Sequence, residues 1–89
     1  MKEDFQKYLI SKGYKIVTPA GHPSTVYDYT KRIDYICDQE QLTWEGLSDN
    51  ISKIISLYGA GGQKQYLGEK SHRSVINALK RFFEFLDSR

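Results

Sequence analysis

The stretch Ser71–Leu86, SHRSVINALKRFFEFL, decides how this chain is read. Phe82, Phe83, Phe85 and Leu86 all seek burial. At 100° per residue, Val75, Ala78, Leu79, Phe82, Phe83 and Leu86 gather on one half of a helical wheel, which predicts an amphipathic helix with one face in a core. Arg73, Ser74, Asn77, Lys80 and Arg81 take the opposite side. Glu84 stands among them, four residues from Lys80 and able to pair with it. Lys80 and Arg81 do not enter a core without partners, because burying a lone charge is too costly. Their face therefore meets water, protein or an anion. The helix opens on Ser-His-Arg-Ser, which would set free backbone N–H groups, hydroxyls and an arginine at a positive helix end, a ready place for phosphate. Asn77, one turn further on, is a residue type suited to an adenine edge.

Three more helices precede this one. EDFQKYLISKG, Glu3–Gly13, places acidic residues at the positive N-terminus, Phe5, Tyr8 and Leu9 on a buried stripe, and Gly13 at the stop. YKIVTPAGHP follows, with two prolines and a glycine, and reads as a loop. Its YKIV is the only short strand pattern, with nothing obvious to pair with. STVYDYTKRIDYICDQE, Ser24–Glu40, is the second helix, with Ser24 or Thr25 as cap. Val26, Tyr29, Ile33, Ile36 and Cys37 face inward, and Tyr27, Asp28, Lys31, Arg32 and Tyr35 outward. TWEGLSDNISKIISLYG, Thr43–Gly59, reads as the third, with Thr43 and Ser48 as candidate caps and Leu47, Ile51, Ile54, Ile55 and Tyr58 as its stripe. AGGQKQYLGEK reads as a flexible connector. The expected architecture is all-α, a small four-helix orthogonal bundle, with Phe5, Leu9, Val26, Ile33, Ile51, Ile55, Leu79, Phe82 and Leu86 in one core.

The 89 residues suffice for one domain spanning 1–89 and not for two. A chain of this size buries only about 60% of its unfolded surface, so its core is thin. The net charge is only +2, so a basic surface must come from arrangement rather than excess. The single cysteine, Cys37, makes no internal disulfide, and a reducing, cytoplasmic setting is the expectation. MKEDFQKYL has no apolar signal core, and no apolar run approaches membrane-spanning length.

Catalytic and metal chemistry find no foothold in the pattern. His22 and His72 have no Cys or carboxylate at ligand spacing, so neither a metal nor another cofactor is expected. Cys37, on the apolar side of its helix and without a basic neighbour, reads as a buried thiol rather than a nucleophile. GAGGQK lacks the spacing of a phosphate-binding loop and follows no strand. The second helix instead repeats the theme of the last. Ser24, Tyr27, Lys31 and Tyr35 lie on its outer surface, with Arg32 to one side, and tyrosine and lysine at helical spacing contact phosphates well.

Three stretches carry a family resemblance. DFQKYLISKGY is similar to the opening F-x-x-Y-L helix of the core-binding domain of tyrosine recombinases, the phage-integrase group with its small SAM-like helical fold. STVYDYTKRIDYI resembles that domain's second helix, with Thr25 and Tyr29 supplying T-x-x-x-Y. SVINALKRFFEFL resembles its closing helix, in which an asparagine or arginine precedes L-x-x-F-F-x-F-L. The resemblance implies a module that clamps double-stranded DNA through its second and fourth helices. Carried onto this chain, it implicates Thr25, Tyr27, Lys31, Arg73, Asn77, Lys80 and Arg81, and the wheels add Ser24 and Ser74. The family's catalytic Arg, His and Tyr belong to a larger C-terminal domain, so the chain is expected to be a monomeric, non-enzymatic part of a longer protein. Both loops are longer than the family's usual ones. The competing expectation is a helical protein-interaction domain attached to another enzyme, such as a restriction-system nuclease. The near-neutral charge and the carboxylates Asp28, Asp38 and Glu84 favour it.

Overall fold

In α1 (Lys2–Ser11), the acidic Glu3 and Asp4 occupy the first turn while Phe5 and Leu9 are fully buried. A computed structural model describes the whole chain, Met1–Arg89. Helix α1 stops as its glycine requires. Gly13 adopts φ +95°, its N–H donates to the Ile10 carbonyl at 3.0 Å, and the Tyr14 N–H reaches back to Leu9 at 3.1 Å. This paired capping closes two of the carbonyls that a helix end leaves open.

Helix α2 (Thr25–Glu40) starts after an extended Ser24, and neither Ser24 nor Thr25 makes a side-chain cap. Val26, Ile33, Ile36 and Cys37 are buried as their spacing dictates, and Tyr29 is half-buried. Thr30, absent from the expected stripe, is buried too. Its hydroxyl donates to the Val26 carbonyl at 2.6 Å, which satisfies the polar group inside the fold. The helix ends at Gln41, left-handed at φ 58°, where the Leu42 N–H reaches the Cys37 carbonyl at 2.9 Å.

The single helix expected over 43–59 is two, α3 (Trp44–Asp49) and α4 (Ile51–Tyr58). Thr43 caps α3 by accepting the Gly46 N–H at 3.0 Å, whereas Ser48 lies inside it and caps nothing. Asn50 makes the break. Its backbone leaves the helical region, and its side chain donates to the Gly46 carbonyl at 2.8 Å. An asparagine bonding its own neighbourhood competes with the helical ladder in this way. The bend lets Leu47 and Ile54 both reach the core.

The glycine-rich segment is built rather than open. It carries a short helix, α5 (Gln65–Gly68), and Gly68 is buried. A Cβ at Gly68 would lie 2.0 Å from the Tyr58 carbonyl oxygen, and one at Gly62 would lie 2.2 Å from that of Ser56. These glycines permit backbone to touch backbone, which sequence pattern alone reads as slack.

Helix α6 (Lys70–Asp87) does not begin as expected. Ser71, His72 and Arg73 form a left-handed turn, with φ of 56°, 58° and 68°, and regular right-handed helix runs only beyond it. The turn puts a kink into the start of α6. Left-handed backbone costs roughly 1–2 kcal/mol per non-glycine residue, so burial of Val75 and Ile76 just beyond the kink must offset it. Further on, the buried stripe drifts around the helix. Phe85 is buried and Phe83 is 42% exposed, the reverse of the wheel's assignment for Phe83. The reason is a change of neighbour. Ile76 lies beside Gly59 at one end, while Phe85 stacks on Phe5 and Tyr8 of α1 at the other.

The result is an all-α bundle whose only β feature is an isolated antiparallel bridge, Val17 with Pro23, in the α1–α2 loop. Its centre is aromatic. Phe82 meets Phe5 and Trp44 edge-on at 5.3 and 5.4 Å. Ile51, Ile55 and Leu86, expected inside, are partly buried at the core's margin. The radius of gyration is 12.6 Å, close to the roughly 12 Å expected for this length. No helix is long and apolar enough to cross a membrane.

One polar clamp ties α2 to the α4–α5 region. Tyr58 Oη donates to Glu40 Oε2 at 2.7 Å, and Lys64 Nζ donates to the same oxygen. Burial alone would raise the Glu40 pKa, but the hydrogen bonds from Lys64 and Tyr58 outweigh it and hold the carboxyl below its ordinary value of 4.5. Burial first, and Glu40 second, push the Tyr58 pKa upward. The signs follow from linkage. A depressed carboxyl stabilises the fold above its unfolded pKa and loses that contribution as pH falls through the folded one. A raised tyrosine stabilises up to its unfolded pKa near 10 and loses that contribution above it. Glu40→Gln should cost about 1–3 kcal/mol at neutral pH, because it weakens two bonds at a side chain only 15% exposed. Urea unfolding of both proteins should show the difference shrinking as pH falls below 4.5. Curves that stay parallel into acid would rule out an ionised Glu40 as the source.

Candidate nucleic-acid interface

Helix α6 carries the charge imbalance of the chain. It contains Lys70, Arg73, Lys80 and Arg81 against Glu84 and Asp87, an excess of two, which equals the net +2 of the whole sequence. The rest of the chain is balanced. The arrangement the sequence required for a basic surface is therefore found on one helix.

Along that helix Ser74, Asn77 and Arg81 share a stripe at helical spacing, and each is half-buried. Lys80 lies beside them, exposed. Arg73 is exposed on the left-handed turn. Neither Arg73 nor Lys80 makes an ion pair. Arg81 differs. It binds Glu84 at 2.9 Å, with its side chain only 30% exposed. Tyr14 beside it, more than Glu84, raises its pKa and keeps it charged against the opposing effect of burial. The Arg81 Nε is buried without a partner. Glu84 thus pairs with Arg81 rather than Lys80. The spacing of three brings the guanidinium within reach and leaves the Lys80 ammonium in solvent.

The helix opening is also altered. With Ser71–Arg73 left-handed, the Arg73 N–H donates to the Glu69 carbonyl at 3.0 Å and the Ser74 hydroxyl to the Ser71 carbonyl at 2.7 Å. The cradle expected from Ser-His-Arg-Ser is occupied by the turn's own hydrogen bonds. His72 is exposed there, and His22 is exposed in the loop.

On α2, Tyr27 and Lys31 are exposed, with the ammonium 5.9 Å from the Tyr27 ring. Ser24 and Thr25 are half-buried at the helix start, where the Ser24 N–H donates to the Ile16 carbonyl at 2.9 Å. Tyr27 and Lys31 line a cleft with Lys2, Gln6, Thr30 and Asp34, so they open towards α1. The other side of α2 meets α6, where Tyr29 adjoins Arg81. On the wheel of α2 the Asp28–Arg32 pair, 3.4 Å apart, lies between Lys31 and that seam. The expected residues therefore form two groups, Tyr27 with Lys31 near α1, and Asn77, Lys80 and Arg81 along α6.

The fold adds one cation that the sequence reading did not single out. The Lys70 ammonium sits 5.3 Å from the Tyr35 ring, joining the C-terminal half of α2 to the start of α6. No local spacing announces a contact between residues so far apart in sequence. The ion pairs Lys2–Asp34 and Lys64–Glu40 are likewise long-range. Cys37 is buried, and burial pushes its thiol up to about 11, well away from a reactive thiolate.

No family model matches this sequence, and no solved structure matches it. Over 77 residues, 86% of the chain, it is similar at 26% identity to the valine–tRNA ligase of Ehrlichia ruminantium (strain Welgevonden). The matched segment is 9% of that protein's length.

Proposed function

We propose that the chain is a duplex-DNA-binding module of the kind found at the core-binding position of tyrosine recombinases, with α6 as its principal contact. The observation that carries this reading is the concentration of the chain's charge excess on α6, where Arg73 and Lys80 have no carboxylate partner and Asn77 lies between them in sequence. Free cations engage phosphates, and an amide side chain among them can reach a base edge. The likeness of Asp4–Tyr14, Ser24–Ile36 and Ser74–Leu86 to that family's helices supports it. Catalysis would belong to another domain of the parent protein, and the setting would be cytoplasmic.

A second reading, a helical protein-interaction domain attached to another enzyme, has one observation in its favour. Arg32 and Arg81 are already tied to Asp28 and Glu84, which withdraws two of the cations a DNA contact would use.

Titration of the isotope-labelled chain with a short duplex separates the two. The DNA reading expects weak binding with amide shifts along Ser71–Arg81 and Thr25–Lys31. Each phosphate contact adds about −0.9 to the slope of log K against log salt, so Arg73→Glu with Lys80→Glu should flatten the slope by about two such contacts. The same pair should weaken low-salt binding by roughly 100-fold, or about 2.7 kcal/mol, as two attractions become repulsions. Glu84→Gln should bind as well or better. Binding indifferent to salt, or shifts confined to α1, α3 and α4, would eliminate this reading.

A further inference from the structure

Six large apolar side chains stand exposed, and four of them surround one place. Ile10, Ile16 and Tyr27 line a cleft between α1, the α1–α2 loop and the start of α2, and Val17 continues it through the adjoining hollow. These four are 44–55% exposed. Single exposed apolar residues are ordinary on a protein surface, but contiguous ones mark a contact.

Two further observations say what kind of contact. The rim is positive. Lys7 and Lys15 line the cleft, Lys31 stands beyond Tyr27, and none of the three makes an ion pair. Glu3 is the one carboxylate on the lining. The backbone beside the cleft is also an open edge. Val17 bridges Pro23 through its neighbours, with the Thr18 N–H donating to His22 at 2.8 Å and the Ser24 N–H to Ile16 at 2.9 Å. In that pattern the central residue turns its own N–H and C=O away from the paired strand. Those two groups of Val17 have no partner in the chain.

We propose that this cleft docks an extended apolar segment of a partner polypeptide with acidic flanks, added as a short strand against Val17. Main-chain bonds at Val17 supply the register. Alternate side chains of the segment enter the hollow walled by Ile10, Ile16 and Tyr27. The acidic flanks meet Lys7, Lys15 and Lys31. Nucleic acid fits less well, because three of the four exposed apolar side chains, those of Ile10, Ile16 and Val17, carry neither a stacking ring nor a donor. The inference uses no residue of α6, the principal contact of the nucleic-acid reading, and shares with that reading only Tyr27 and Lys31 on α2.

The test is a titration of the isotope-labelled chain with a short capped peptide of alternating leucine and valine between paired aspartates. The same peptide flanked by lysines, and a short DNA duplex, serve as comparisons. The aspartate peptide should give saturable shifts at Ile10, Ile16, Val17 and Tyr27 and slow the exchange of the Val17 amide. Ile16→Ser should weaken it roughly tenfold, the scale of one buried aliphatic side chain. Ile10→Ser should do the same from the opposite wall. Both positions are exposed, so the helical circular dichroism of each variant should match the wild type. Lys7→Glu with Lys15→Glu should reverse the preference between the two peptides. The inference is overturned if no saturable shift occurs at millimolar peptide, or if the lysine peptide binds equally well. It is also overturned if the shifts fall on α6, or if the duplex moves the amides of Ile10, Ile16 and Val17 and displaces the peptide.

Discussion

Phe82→Ala lowers the stability of the chain by about 3–5 kcal/mol, the usual cost of emptying a fully buried aromatic site. Phe82 has no exposed surface. Its ring meets Phe5 edge-on at 5.3 Å, Trp44 edge-on at 5.4 Å and Phe85 at 5.9 Å, so three rings from three helices would line the void. None of them relaxes into it without losing another contact. A chain of 89 residues has roughly 4–13 kcal/mol in all, so the variant stands near the edge of folding. Phe83→Ala is the internal comparison. One position along and 42% exposed, it should change stability by under about 1 kcal/mol. Urea unfolding followed by far-ultraviolet circular dichroism measures both. Equal losses, or a larger one at Phe83, would mean that α6 is rotated from the orientation described.

Gly68→Ala should cost about 3 kcal/mol, at the top of the range for overpacking, because the obstacle is backbone rather than side chain. The new methyl would sit 2.0 Å from the Tyr58 carbonyl oxygen and 3.0 Å from its carbon. Relief requires α5 to part from the end of α4, and that would pull Tyr58 and Lys64 away from Glu40. Gly46→Ala provides the contrast. Its Cβ would meet only the Leu42 and Thr43 side chains, at 3.3 Å or more, inside a helix where alanine is preferred to glycine by up to about 1 kcal/mol. It should be neutral or mildly stabilising. If the two substitutions prove equal in thermal unfolding, the α4–α5 contact is not the tight one described.

The helices were legible because their apolar spacing is strong. Phe5 and Leu9, Val26 through Cys37, and Val75 through Phe82 repeat at the helical period and are buried where that period puts them. What escaped was decided by tertiary contact. Phe85 is inside and Phe83 outside because α6 changes neighbours along its length. Gly62 and Gly68 read as slack because a glycine needed for close approach and one needed for flexibility look alike in sequence. The break at Asn50 was readable in principle, since asparagine favours local side-chain bonds over a continuous helix. The left-handed Ser71–Arg73 turn was not, since Ser-His-Arg-Ser is an ordinary helix opening. Of the candidate surface, the outward placement of Tyr27, Lys31 and Lys80 followed from the wheels, whereas Arg73 is exposed on the left-handed turn, off the regular helix. Arg81 is instead half-buried, beside Tyr14 from far away in sequence, which no local spacing announces.

The contact of Phe5 with Phe82 and Phe85 joins the first helix to the last. It closes nearly the entire chain into a loop. The entropy lost in closing a loop grows only slowly with its length, so the cost is modest. It also falls late, because so distant a pairing forms after local helix and turn contacts have condensed. The finished unit holds its first and last helices together, and helices that approach in this way favour a domain set inside a loop of a larger protein, which they join without prying it apart.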